Sequence, residues 1–97
     1  MNIQKTVTGN CAELKIEGWL DTQTAPQLGS ALDELDGTIE ELVIDMAALE
    51  YISSAGLRQI VAAHRKMNGK LTIKNVPTAV MEVFNMAGFV QHLNIVK

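Results

Sequence analysis

Leu42-Val43-Ile44 is an uninterrupted apolar run, rich in β-branched residues and too short for a helix. Soon after it the spacing turns helical, with Leu57, Ile60, Val61, His64 and Met67 on one stripe. A buried strand that hands over to an amphipathic helix must be covered by that helix, which commits the chain to a layered α/β architecture. The reading places a short loop from Asp45 to Ile52 between them, then Ser53-Ser54-Ala55-Gly56 at the helix start. Serine is a favoured N-cap, because its hydroxyl oxygen accepts from a free backbone N–H of the first turn. With Ser54 taken as the cap, a hydroxyl stands at an electropositive helix terminus, where a phosphate is also well placed. Position alone favours the plain cap.

The rest of the chain repeats this alternation. Ile3 to Thr8 reads as a first strand, Gly9-Asn10 as a hairpin turn, and Cys11 to Leu20 as a second strand. In that strand Leu14, Ile16, Gly18 and Leu20 share one face, and Glu13, Lys15, Glu17 and Trp19 share the other. Trp19 is therefore expected on the exposed face. Single exposed apolar residues are common, yet Trp is enriched at binding hot spots. Asp21-Thr22-Gln23-Thr24 ends the strand, and Thr24-Ala25-Pro26-Gln27 has the form of a capping box. A first helix is expected to run to about Asp36, with Leu28, Ala31, Leu32 and Leu35 as its stripe and Gly37 as its stop. The serine-led helix ends at Asn68-Gly69 and presents Arg58, Arg65 and Lys66 to solvent. Lys70 to Val76 alternates as a fourth strand. Pro77-Thr78 opens a third helix in which Val80, Val83, Phe84 and Ala87 pack and Met81 and Met86 fill gaps; Gly88 ends it. Leu93 to Val96 is strand-like. The expected fold is thus α/β, with a mixed, mostly parallel sheet of four to five strands and three main helices. Asp21 and Ser53-Ser54 then fall at one carboxyl edge of the sheet, where open α/β sheets place their ligands.

Composition narrows the function. With 97 residues the chain reads as one domain, 1–97, and at net charge −3 it has no basic cluster of the kind that marks a nucleic-acid footprint. No apolar run is long enough to span a membrane, and the amino terminus lacks a signal-peptide core. The single Cys11 forms no internal disulfide and reads as a small packed residue. A cytoplasmic protein is expected. His64 lies on a packed stripe and no second ligand has a matching spacing, so no metal and no cofactor are expected. Catalysis is not expected either. There is no Gly-x-Ser-x-Gly elbow, no phosphate loop, and only His92 in the tail as a second histidine.

Gly18-Trp-Leu-Asp21, Leu42-Val-Ile-Asp45, Tyr51-Ile-Ser-Ser-Ala-Gly-Leu57 and Ala87-Gly-Phe89 resemble the STAS domain, shared by sulfate transporters and anti-sigma factor antagonists. The resemblance spans nearly the whole chain and is closest to the stand-alone bacterial antagonists. It implies that a serine at the start of the second helix is phosphorylated by an anti-sigma factor that is also a serine kinase. The unphosphorylated form then binds that partner and frees a sigma factor, and a serine phosphatase resets the switch. Against the family pattern Asp-Ser-[Ser/Thr]-Gly-Leu, Ser54 takes the acceptor position and Ser53 replaces the acidic residue, which makes Ser53 a second candidate acceptor. Asp21 matches an acidic position near the acceptor. The partner-binding surface so implied comprises Trp19, Asp21, Ser53, Ser54, Gly56 and Arg58. Within the same resemblance lies an alternative, a non-phosphorylated STAS scaffold subunit of a transporter or stress-signalling complex, such as the small partner of a lipid-transport ATPase.

Overall fold

The computed structural model describes residues 1–88 and 93–96. Its elements follow the expected order: β1 (Asn2–Thr8), β2 (Cys11–Leu20), α1 (Ala25–Asp33), β3 (Glu41–Ile52), α2 (Ser54–Lys66), β4 (Leu71–Lys74), α3 (Thr78–Ala87) and β5 (Asn94–Val96). The five strands lie in the sheet in sequence order, with β1 antiparallel to β2 and the remaining neighbours parallel. The hairpin turns at Gly9, whose φ of 60° is a left-handed value that glycine adopts freely. Because β2 to β5 step in one direction, right-handed crossovers bring all three helices to one face.

That face carries the core. Leu14, Ile16 and Leu20 of β2, Leu42 and Ile44 of β3 and Leu71 and Ile73 of β4 are buried, together with Leu28 of α1, Ile60 of α2 and Phe84 of α3. The opposite face is charged and partly open. In register across it run Lys15, Asp45 and Lys74, and Lys74 Nζ bonds Glu13 at 2.6 Å.

Strand β3 departs most from expectation. The segment from Asp45 to Ile52 is strand, not loop, and pairs with β2 to its end, Leu20 opposite Ile52. Two register shifts explain why it did not read as one. Lys15 pairs Asp45 but Glu17 pairs Ala48, and Gly18 pairs Leu49 but Trp19 pairs Tyr51. Each shift inserts one extra β3 residue, as a β-bulge does. The buried apolar positions therefore run Leu42, Ile44, Met46 with period two, then jump by three to Leu49 and again to Ile52. A strand whose phase slips twice has no alternation to detect.

Smaller corrections concern the helices. Helix α1 ends at Asp33 instead of about Asp36, and Gly37 is not its stop; Leu35 is nonetheless buried. Lys66, expected to be merely solvated, donates from Nζ to the Leu32 carbonyl at 2.6 Å near the end of α1. In α3, Val80 and Phe84 are buried as expected, but Ala87 is exposed and Met86 is 87% exposed. Two residues beyond Phe84 is about 200° around a helix, so Met86 points away from the sheet. Gly88, with φ 76°, ends α3 as expected. Phe89 of the Ala87-Gly-Phe89 motif, and His92, lie outside the described residues. Among the described residues no helix is long and apolar enough to cross a membrane.

Candidate functional site

The carboxyl ends of β2 and β3 are tied together, the Ser53 N–H donating to the Leu20 carbonyl at 2.9 Å. Asp21 follows one strand and Ser53-Ser54 the other, so these residues share one sheet edge, as expected.

Each side of that edge has its own local construction. On the β2 side Thr24 precedes α1, but its hydroxyl makes no cap bond. It donates instead to the Trp19 carbonyl at 2.8 Å and accepts from the Asp21 N–H at 2.8 Å. The expected capping box is therefore not formed. Its work passes to Asp21, whose Oδ1 accepts from the Gln23 N–H at 2.9 Å and the Thr24 N–H at 3.1 Å. An aspartate holding N–H groups two and three residues ahead is a typical Asx turn. The Thr24 N–H bond, opposed by desolvation and helped by the Gln23 N–H and the Thr24 hydroxyl, holds the Asp21 carboxyl below its ordinary 3.8. Asp21 is thus a fixed negative charge at neutral pH.

On the β3 side the two serines divide the work. Ser53 has extended backbone and is the N-cap, its Oγ accepting from the Gly56 N–H at 3.4 Å. Ser54 is not the cap, contrary to the sequence reading. It is the first helical residue, exposed, and among the described residues its hydroxyl has no hydrogen-bond partner. The cap falls to Ser53 because the β3 pairing holds its backbone extended up to the helix start.

Gly56 is buried beneath this edge. A Cβ there would stand 2.7 Å from Leu20 Cγ, 2.9 Å from Ile52 Cγ1 and 3.0 Å from the Leu20 carbonyl oxygen. Its place is in the packing of α2 onto the strand ends, away from the surface on which the sequence reading had put it. Arg58 is exposed one turn beyond Ser54 and on the same side of the helix. Trp19 is 57% exposed, as its strand phase predicts. Sequence reasoning missed its neighbour Tyr51, 43% exposed, whose ring centroid lies 5.2 Å from that of Trp19 with the planes tilted by 41°. The loop reading of 45–52 left Tyr51 without a phase; the strand pairing of Trp19 with Tyr51 supplies it.

Chemically, this edge presents the exposed Ser54 hydroxyl and the Asp21 carboxylate. Nucleophilic catalysis needs a base within hydrogen-bond reach. Among the described residues the histidine is His64, ten positions along α2 from Ser54, about 15 Å at 1.5 Å per residue. No group of three or more candidate metal ligands occurs among the described residues.

The family model described as "Mlab, STAS domain" matches residues 3–97. A Bordetella bronchiseptica protein that carries the name of an anti-sigma factor antagonist, BtrV, is 33% identical over 78 residues, covering 76% of this chain and 67% of its own. The anti-sigma-B factor antagonist of Staphylococcus aureus is 28% identical over 101 residues, 97% of this chain and 93% of its own. The crystal structure of an anti-sigma factor antagonist from Mycobacterium paratuberculosis superposes with a TM-score of 0.86 at 21% identity, covering 97% of this chain and 83% of that one; at that identity the likeness speaks for the fold.

Proposed function

This chain belongs to the STAS domain family, and from that premise we propose that it is an anti-sigma factor antagonist switched by phosphorylation of Ser54. One observation carries the reading. Ser53 takes the capping bond, which leaves the Ser54 hydroxyl exposed at the start of α2 and, among the described residues, without a partner. A kinase can reach that hydroxyl without dismantling the helix terminus. Ser53, by contrast, must give up its cap to serve as acceptor.

The switch works by local charge. A phosphate adds roughly −1.5 to −2 charges at neutral pH. On Ser54 it is tolerated by the helix N-terminus. It also stands at the edge that already carries the Asp21 carboxylate, and it repels or must be desolvated by a partner docked across both. The unphosphorylated form binds the anti-sigma factor, a serine kinase; phosphorylation releases it; a serine phosphatase restores binding. Trp19, Asp21, Ser53, Ser54 and Arg58 belong to the docking surface, with Gly56 supporting it from below.

The test begins with a pull-down from native lysate, with mass spectrometry of partner and phosphosite. Calorimetry then compares the parent with Ser54→Ala and Ser54→Asp on the recovered kinase. Phosphate on Ser54, undiminished binding by Ser54→Ala and weakened binding by Ser54→Asp are expected. Equal phosphate uptake by Ser54→Ala overturns the assignment and moves the acceptor to Ser53. A second reading, a STAS scaffold subunit of a transporter complex, is favoured by Ser53 standing where the antagonist pattern has an acidic residue. Recovery of a transporter ATPase, with no phosphate on either serine, decides for it.

A further inference from the structure

The sheet face turned away from the helices carries an exposed aromatic pair, with carboxylates close to it along β2 and β3 and the amino terminus of β1 beside Gly18. Trp19 and Tyr51 are paired across β2 and β3, 57% and 43% exposed. Glu17 lies two residues before Trp19 on the same strand face, and Asp21 two residues after it. Glu50 is exposed beside Tyr51, where the second register shift adds a residue to β3. The two ion pairs formed among the described residues join Lys5 to Glu34 and Lys74 to Glu13, so none of these three carboxylates is neutralised by one. Lys15, next along the face, sits opposite Asp45 in the sheet register.

We propose that the Trp19–Tyr51 pair and the carboxylates of Glu17, Asp21 and Glu50 form a docking platform for an arginine-bearing segment of the anti-sigma factor. The inference rests on the proposed antagonist function for the identity of the partner, and on charge complementarity for its chemistry. Aromatic faces attract cations, Trp most strongly, and arginine is the usual partner. Carboxylates around such a face draw in a guanidinium and repel acidic segments. An exposed Trp beside a second aromatic ring is also the residue type that dominates binding energy at interfaces. Phosphate on Ser54 then acts at one end of an interface whose other end is this platform, which gives the partner a contact outside the modified helix.

Trp19 is the chain's single tryptophan, so its fluorescence reports the platform directly. The probe is an acetylated, amidated hexa-arginine peptide, with a hexa-glutamine peptide as control, titrated at low salt. Saturable change in Trp19 emission with the arginine peptide and none with the glutamine peptide are expected. Glu17→Gln combined with Glu50→Gln should weaken the peptide about tenfold, while Glu82→Gln on α3, an exposed charge removed at a distance, should not. No saturable change, or equal weakening by Glu82→Gln, overturns the platform. Binding of the purified anti-sigma factor supplies the second arm. Trp19→Ala should lower its affinity about tenfold or more with an unchanged melting temperature, and affinity equal to the parent's overturns the proposal. If Trp19→Ala binds normally while Ser54→Asp does not, the platform is wrong and the switch stands. If the parent itself binds no anti-sigma factor, the antagonist reading fails and the proposed occupant falls with it.

Discussion

At the scale of single residues, two adjacent serines differ in what they hold. Ser53 caps α2 through the Gly56 N–H, and Ser54 points to solvent. Removing a serine cap costs about 0.5–2 kcal/mol, and the 3.4 Å bond here places Ser53 in the lower part of that range. For a domain of this size each kcal/mol moves the melting temperature by about 4–8 °C. Ser53→Ala should therefore melt several degrees below the parent. Ser54→Ala should change stability by no more than about 0.5 kcal/mol, as exposed positions do. Thermal denaturation of the two variants checks this, and the reverse order would mean that Ser54 carries the cap. Ser53→Asp should melt close to the parent, since aspartate caps as well as serine.

Between elements, the junction of β3 with α2 depends on a backbone approach that one glycine permits. In a helix alanine is ordinarily preferred to glycine by about 1 kcal/mol. Gly56→Ala should invert that preference. Its methyl would meet the inner carbons Leu20 Cγ and Ile52 Cγ1 and, at 3.0 Å, a backbone oxygen that has no freedom to move aside. Overpacking of this kind costs typically about 1–3 kcal/mol. Gly29 in α1 is the internal control, because the nearest atoms to a Cβ there are the amide end of the Gln59 side chain, from 3.1 Å. Gly29→Ala should be neutral or stabilising by up to about 1 kcal/mol. Urea unfolding of both variants separates the cases. A stabilising Gly56→Ala would show that α2 does not sit so close to the strand ends, and with it that Ser54 is not held at this edge.

For the molecule as a whole, a charged row crosses the open face of the sheet. Asp45 is 8% exposed and lies between Lys15 and Lys74 in register. Its Oδ1 accepts from the Ala47 N–H at 3.0 Å, inside the first β3 bulge, and from the Asn75 amide at 3.2 Å, beyond β4. Burial pushes the carboxyl up, but the Ala47 N–H, the Asn75 amide and the two lysines outweigh it and hold the group below 3.8. A folded value below the unfolded one means that the charge stabilises the fold above about pH 4. That stability drains as pH falls through the folded value. Asp45→Asn keeps an acceptor for both donors and removes the charge. It should be less stable than the parent at pH 7 and should converge on it below the ordinary carboxyl range. Melting temperatures from pH 7 to pH 2 test this; a constant gap between the two proteins would assign the role of Asp45 to shape alone.

Much of this architecture is a property of local periodicity, and to that extent the sequence determines it. Alternation in Cys11–Leu20 sets the buried face of β2 and the exposure of Trp19, because a pleated strand turns every second side chain the same way. Helical spacing and the stops at Asn68-Gly69 and Gly88 set α2 and α3, because φ is positive at all three residues and glycine adopts it without strain. The order of strands and helices, with the hairpin first, suffices for a mixed sheet with Asp21 and the serines at one edge. Other features were decided only when β2 and β3 met. The bulges that extend β3 to Ile52 are a mismatch in length between two strands, which neither strand contains alone. Their consequence is the pairing of Tyr51 with Trp19. The same meeting bonds the Ser53 N–H to Leu20, gives Ser53 the cap, and presses Gly56 against Leu20 and Ile52. Residue type and spacing could offer two serines as candidates for one helix terminus. Which of them is held and which is free depends on a hydrogen bond to a strand more than thirty residues away in the chain, and such a contact leaves no period in the sequence.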